Sequence, residues 1–135
     1  MFTAETKIRI HYALTDQMGV VYHGNYIQFY EIARGEALRG IGFTYKDMEK
    51  SGIVLPVVEI NSKFLRPALY DDLITVKTIL KELPHSYKVQ FHHEVYNEEG
   101  KLLNVGEVKL YFMSYPQMQR CQMPADLFEV LKTYY

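Results

Sequence analysis

The hydrophobic period of this chain changes once into a helical rhythm and then back again. From Tyr26 the apolar residues recur at three- and four-residue spacing (Tyr26, Phe29 and Tyr30, Ala33, Ala37, Ile41), while Glu31, Arg34, Glu36 and Arg39 take the other faces. A helix over 24–41 follows, about 27 Å long at 1.5 Å per residue, with Gly42 as its stop. It is apolar enough that cover on several sides is expected. On both sides of it the period is two. Thr6, Ile8, Ile10 and Tyr12 alternate with Glu5, Lys7, Arg9 and His11, and Tyr87, Val89, Phe91, His93 and Val95 alternate with Ser86, Lys88, Gln90, His92 and Glu94. Strands are expected at 5–12, 54–66, 73–83, 86–97 and 101–114. The turns Tyr70-Asp71-Asp72 and Asn97-Glu98-Glu99-Gly100 are short enough to make neighbouring strands antiparallel. Thr44 and Asp47 have the spacing of a capping box before a short helix ending near Gly52, and Pro124 can open a last helix. One apolar helix and five antiparallel strands define an α+β chain whose sheet is expected to wrap the helix, leaving apolar surface for a second subunit.

Length and composition support one domain over 1–135. Hydrophobic residues make up 48% of the 135, which is material for a core without disulfide staples, and 12 Tyr and 7 Phe favour sheet. Acidic and basic residues nearly cancel (16 against 15) and form no block, so neither a nucleic-acid arm nor an anionic-membrane patch is indicated. Cys121 is alone, which rules out an internal disulfide and a cysteine-based zinc site. No stretch approaches the roughly 20 apolar residues of a membrane span, and the first residues lack a signal peptide's apolar run. A cytoplasmic protein is expected.

The chemistry concentrates in TDQMGVVYHGNY, Thr15 to Tyr26. It sets a carboxylate, Asp16, one Gly-containing turn ahead of a helix start. A helix N-terminus offers unpaired N–H groups and partial positive charge, which a carbonyl needs as its oxygen becomes anionic under attack. A nearby carboxylate can attack the carbonyl carbon or take a proton from water. An Asp in this position also serves well as a plain turn or cap residue.

The stretch IHYALTDQMGVVYHGNYIQFYEIARGEALR, followed by LRPALYDDL (65–73) and LLNVGEVKLYF (102–112), resembles the 4-hydroxybenzoyl-CoA thioesterase family. It is most similar to the branch of small acyl-CoA thioesterases that includes the Tol-Pal-associated enzyme. The resemblance implies a hot-dog fold, a long central helix wrapped by a five-stranded antiparallel sheet, assembled as a homodimer or homotetramer with acyl pockets at the interface. It implies hydrolysis of acyl-CoA to a free acid and coenzyme A without metal or other cofactor, coenzyme A being part of the substrate. Asp16 is then the nucleophile or general base. The N–H of His23 polarises the thioester carbonyl, and its side chain positions substrate or assists proton transfer. Tyr22, Gly24, Asn25 and Tyr26 shape the turn and the pocket wall. Some relatives carry a basic run at the positions of Pro84-His85-Ser86 that grips the coenzyme A phosphates. It is absent here, and Lys63, Arg66 and Lys88 are the candidates to replace it. That absence keeps an acyl carrier protein open as the donor of the acyl group, and a non-catalytic acyl-binding domain is the other alternative.

The remaining candidates are weaker. His92 and His93 are adjacent in a strand and point to opposite faces, a poor arrangement for joint metal ligation, so no metal is expected. Glu59 shares a strand face with Asn61 and Lys63 and is a reserve carboxylate, because a strand residue can reach a partner's pocket. Cys121 has no nucleophile signature around it.

Overall fold

The computed structural model describes residues 1–135. In chain order it comprises β1 (Phe2–Arg9), α1 (Asn25–Arg39), α2 (Tyr45–Lys50), β2 (Ile53–Val54), β3 (Val57–Phe64), β4 (Leu73–Leu80), β5 (Lys88–Tyr96), β6 (Leu102–Tyr111), β7 (Met113–Ser114), β8 (Gln119–Arg120) and α3 (Ala125–Leu131). Five strands form one antiparallel sheet in the order β1-β4-β5-β6-β3. The period-two pattern decides its faces. On β5, Val89, Phe91, His93 and Val95 are buried, and the residues between them are not.

The helix differs from its expectation in length and in cover. There is no long central helix wrapped by the sheet. The α1 helix has 15 residues, about 22 Å, and ends at Arg39 with Gly40 as its C-cap. It lies on one face of the sheet. Tyr26, Phe29, Tyr30, Ala33, Arg34, Ala37 and Leu38 are buried, whereas Glu31 and Glu36 face solvent and Ile27 and Ile32 are 47% and 46% exposed. The spacing that builds a buried stripe leaves the opposite side of a helix free, and five strands cover only the stripe.

The expected strands at 54–66 and 101–114 are each interrupted. Pro56, with no N–H to donate, separates β2 from β3, and its carbonyl accepts Tyr111 N–H at 3.1 Å. Beyond Phe112 the chain leaves the main sheet, and β2, β7 and β8 form a small second sheet. The Thr44 cap is as expected, its Oγ1 accepting Asp47 N–H at 3.1 Å. Pro124 precedes α3, whose Leu127 and Leu131 close the core at the C-terminal end of α1 beside Leu38 and Tyr45.

His93 sits within this core. Its ring stacks on Tyr30 with centroids 4.8 Å apart, and its Nδ1 lies 3.2 Å from Thr78 Oγ1. Burial first, then the Arg34 and His92 charges, push its pKa down to about 3, so the ring is neutral when folded. An unfolded His titrates near 6.5. Between those values the unfolded chain takes up a proton that the folded one refuses. The His93 contribution to stability is therefore complete above about pH 6.5 and declines as pH falls toward 3. By about pH 4.5 the loss should be on the order of 2–3 kcal/mol. Urea midpoints across this range test it, and a His93→Gln variant should show a shallower slope.

Candidate active site

Asp16 opens a tight turn closed by an isolated pairing of Thr15 with Val21. Its N–H donates to Val20 O at 2.8 Å and its carbonyl accepts Gly19 N–H at 3.0 Å. Gly19 has φ +77°, a conformation that glycine adopts without penalty. The carboxylate is divided in its uses. Oδ1 accepts Met18 N–H at 2.8 Å and Val20 N–H at 3.4 Å, which fixes its direction, while Oδ2 accepts no hydrogen bond and the residue is exposed. An aimed carboxylate with one free oxygen can act on an incoming molecule.

The turn is stitched to its neighbours by backbone. Val20 bridges Leu69, Val21 N–H donates to Ala68 O at 2.9 Å, and Tyr22 N–H donates to Leu14 O at 2.9 Å. Asn25 completes the link, its Nδ2 donating to the same Leu14 carbonyl at 2.8 Å. The first residue of α1 thus ties the helix start to the segment that leads into Asp16. Asn25 N–H bonds Tyr22 O and Tyr26 N–H bonds His23 O, but the N–H groups of His23 and Gly24 donate to nothing in the protein. With no acidic residue in the first turn of α1, these two donors and the helix dipole are available to a developing oxyanion.

Aromatic rings line the approach. Tyr22 lies over Gly24, where a Cβ would fall 2.8 Å from its Cε2, and its ring centroid is 4.3 Å from that of His23. Phe64, at the end of β3, stands 6.2 Å from His23 and 5.3 Å from Tyr26. Tyr26 is buried, and desolvation raises its pKa, so its hydroxyl stays protonated. Phe64 had no place among the expected site residues. Its signal was present, as an aromatic near the end of the expected strand at 54–66, directly before LRPA.

The other expected residues separate. Arg66 lies two positions before Ala68, on the segment that runs along the Asp16 turn, and its N–H is held by Leu103 O at 3.0 Å. Glu59 points to the outward face of the sheet, where it pairs with Lys109 at 3.0 Å. It lines a cavity of about 680 Å³ with Lys81, His85 and Lys88, and neither Asp16 nor His23 contributes to that cavity. Lys63 is on the same outward face, in a cleft with His92 and Glu94. The fold therefore brings together Asp16, Tyr22, His23, Gly24, Asn25 and Tyr26, with Arg66 nearby, and within one chain it turns Glu59 and Lys63 away. No cluster of three or more His, Cys, Asp or Glu has metal-site geometry, and burial pushes the Cys121 thiol pKa up.

A family model described as the thioesterase-like superfamily matches residues 10–131. The chain belongs to that superfamily. YneP of Bacillus subtilis (strain 168) is 37% identical over 102 residues, 76% of this chain and 73% of that protein. The acyl-CoA thioester hydrolase YbgC of Escherichia coli O6:H1 is 30% identical over 125 residues, 93% of this chain and 92% of that one. Among solved structures, DHNA-CoA thioesterase from Staphylococcus aureus is 31% identical, with a TM-score of 0.92, covering 99% of this chain and 91% of that chain. The α+β hot-dog architecture with a five-stranded antiparallel sheet is common ground between this superfamily and the chain, and the relation to YbgC places it in the branch its motif resembles.

Proposed function

We propose that this protein is an acyl-CoA thioesterase that hydrolyses acyl-CoA to a free carboxylic acid and coenzyme A, with its chemistry centred on Asp16. The observation that carries the assignment of the site is the pairing of an exposed, half-free Asp16 carboxylate with the unused N–H groups of His23 and Gly24 at the start of α1. The activity itself is supported by membership of the thioesterase-like superfamily and by likeness across nearly the whole chain to YbgC, an acyl-CoA thioester hydrolase.

Two routes use the same groups. As general base, Asp16 takes a proton from a water whose oxygen attacks the thioester carbon. The carbonyl oxygen becomes anionic against the His23 and Gly24 N–H groups, then the C–S bond breaks and the thiolate leaves. As nucleophile, the Asp16 carboxylate attacks first, expels the thiolate and forms an anhydride that water then opens. No strong acid is needed for a thiolate leaving group. The His23 side chain, with Tyr22 and Tyr26, orients the acyl group. Arg66, on the segment that runs along the Asp16 turn, is the proposed contact for coenzyme A phosphate. Label found in the Asp16 carboxylate after single turnover in ¹⁸O-water identifies the nucleophile route, since it arises only when water opens the anhydride at the Asp16 carbonyl.

A homodimer or homotetramer, acting in the cytoplasm as one domain over 1–135, fits the unused surfaces. The β3 strand is a sheet edge, and Val57, Val58, Phe64 and Leu65 along it are between 44% and 54% exposed. No helix is long and apolar enough to cross a membrane. Light scattering coupled to size exclusion should give twice or four times the chain mass. Thiol release from a panel of short, long and aromatic acyl-CoAs tests the activity and names the acyl class. An acyl carrier protein as the donor is the second reading, favoured by Pro84-His85-Ser86 where a basic run would otherwise stand. A carrier of strongly acidic character would make kcat/KM fall steeply with salt.

A further inference from the structure

Behind the aromatic wall lies a closed ring of side-chain hydrogen bonds joining three elements. Tyr30, fully buried on α1, donates its hydroxyl proton to Asn104 Oδ1 of β6. Asn104 Nδ2 donates to Ser62 Oγ of β3 at 2.9 Å, and its other proton goes to Lys63 O at 2.9 Å. Since the Tyr30 proton is already committed, Ser62 must be the donor in its 2.7 Å contact with Tyr30 Oη. Each of the three residues therefore gives one bond and receives one around the ring. The carbonyl of Lys63 fixes which end of the Asn104 amide is the nitrogen. Bonds arranged head to tail in a dry interior reinforce one another. The approach is so close that Gly106, beside Asn104, has no room for a side chain: a Cβ there would stand 2.3 Å from Tyr30 Cζ.

The ring touches neither Asp16 nor the free N–H groups, yet it joins the two elements whose Tyr26 and Phe64 rings meet edge to face beside them, 5.3 Å between centroids. Tyr30 is four residues, one helical turn, beyond Tyr26 and on the same buried face of α1. Phe64 is the register partner of Asn104 and follows the carbonyl that Asn104 grips. β3 is bonded to a neighbouring strand on one edge only, and the ring ties it to the helix by hydrogen bonds. We propose that Tyr30, Ser62 and Asn104 are positioning residues for the acyl group: the ring sets how Phe64 on β3 stands against Tyr26 on α1 and His23 just before it, and thereby which acyl chains fit. This rests on the reading of the Asp16 turn as the thioesterase centre.

The test is steady-state thiol release from acetyl-CoA, octanoyl-CoA and benzoyl-CoA by the unaltered protein, Tyr30→Phe, Ser62→Ala and Ser62→Thr, with melting temperatures measured alongside. Expected is a change of about tenfold or more in the ratio of kcat/KM between the best and the poorest substrate in Tyr30→Phe and Ser62→Ala. Ser62→Thr, which keeps the hydroxyl, should return that ratio to within about twofold of the unaltered protein. A purely structural ring would lower the melting temperature and scale all three substrates alike, and that result overturns the proposal while leaving the thioesterase reading intact. If Tyr30→Phe does not fold, Ser62→Ala decides alone, since it removes one hydroxyl from an edge strand. No thiol release by the unaltered protein from any of the three would remove the reaction, and this proposal with it.

Discussion

Thiol release by the Asp16→Asn variant is expected to fall by about 10²–10⁴-fold if the carboxylate acts as general base, with little change in melting temperature. The two parts of that expectation come from different oxygens of one side chain. Oδ1 holds the turn by accepting Met18 N–H and Val20 N–H, and the amide oxygen of Asn accepts the same bonds. Oδ2, which accepts none, is the atom that would carry the reaction, and replacing it by an NH₂ removes both its basicity and its nucleophilicity. Activity should collapse while the fold persists. Glu59→Gln is the matched control. Its carboxylate pairs with Lys109 on the outward face, so turnover should stay close to that of the unaltered protein. Unchanged turnover in Asp16→Asn would make Asp16 a turn residue and send the search to Glu59 of a second copy.

Gly106→Ala should be the most damaging glycine-to-alanine change in this chain, lowering stability by about 1–3 kcal/mol or more. The new Cβ would fall 2.3 Å from Tyr30 Cζ and 2.4 Å from Tyr30 Oη. The ring cannot swing away, because it is stacked on His93 and its hydroxyl is bound to Ser62 and Asn104. Relief by moving α1 would break those bonds and strand buried polar atoms, adding roughly 1–3 kcal/mol. A fall in melting temperature of roughly 5–15 °C follows for a chain of this size. Gly35→Ala provides the contrast. It is a helical position whose added Cβ meets nothing nearer than Tyr45 Cε2 at 3.7 Å, so a gain of roughly 0.5–1 kcal/mol is expected there. Thermal unfolding of both variants against the unaltered protein checks the pair.

Residues close together in the sequence explain most of what was legible from it. The buried stripe of α1, the alternation on β5, the Thr44–Asp47 cap and the start of α3 after Pro124 each depend on spacing within one turn or one strand. The Asp16 turn and the start of α1 are legible for the same reason, since their main contacts span no more than about a dozen positions: Leu14 O with Tyr22 and Asn25, Asp16 with Met18 and Val20. The expected strand at 54–66 passed over Pro56, although a residue without an N–H cannot sit inside a ladder and the chain breaks there.

What the tertiary structure decided lies in pairings between distant residues. A stripe on a helix shows that one side is buried but not whether anything covers the other, so the long wrapped helix became a 15-residue helix on one face of the sheet. Period two separates the faces of β3 but does not say which of them looks toward Asp16, and Glu59 and Lys63 proved to be on the outward one. Phe64 reaches His23 across 41 positions, and Tyr30 reaches Asn104 across 74. Sequence by itself determined most of the elements and the Asp16 turn, because backbone hydrogen bonding and side-chain periodicity are local. Only the tertiary structure decided how the aromatic wall beside it is assembled, because that wall is made where α1, β3 and β6 meet, and packing alone brings them together.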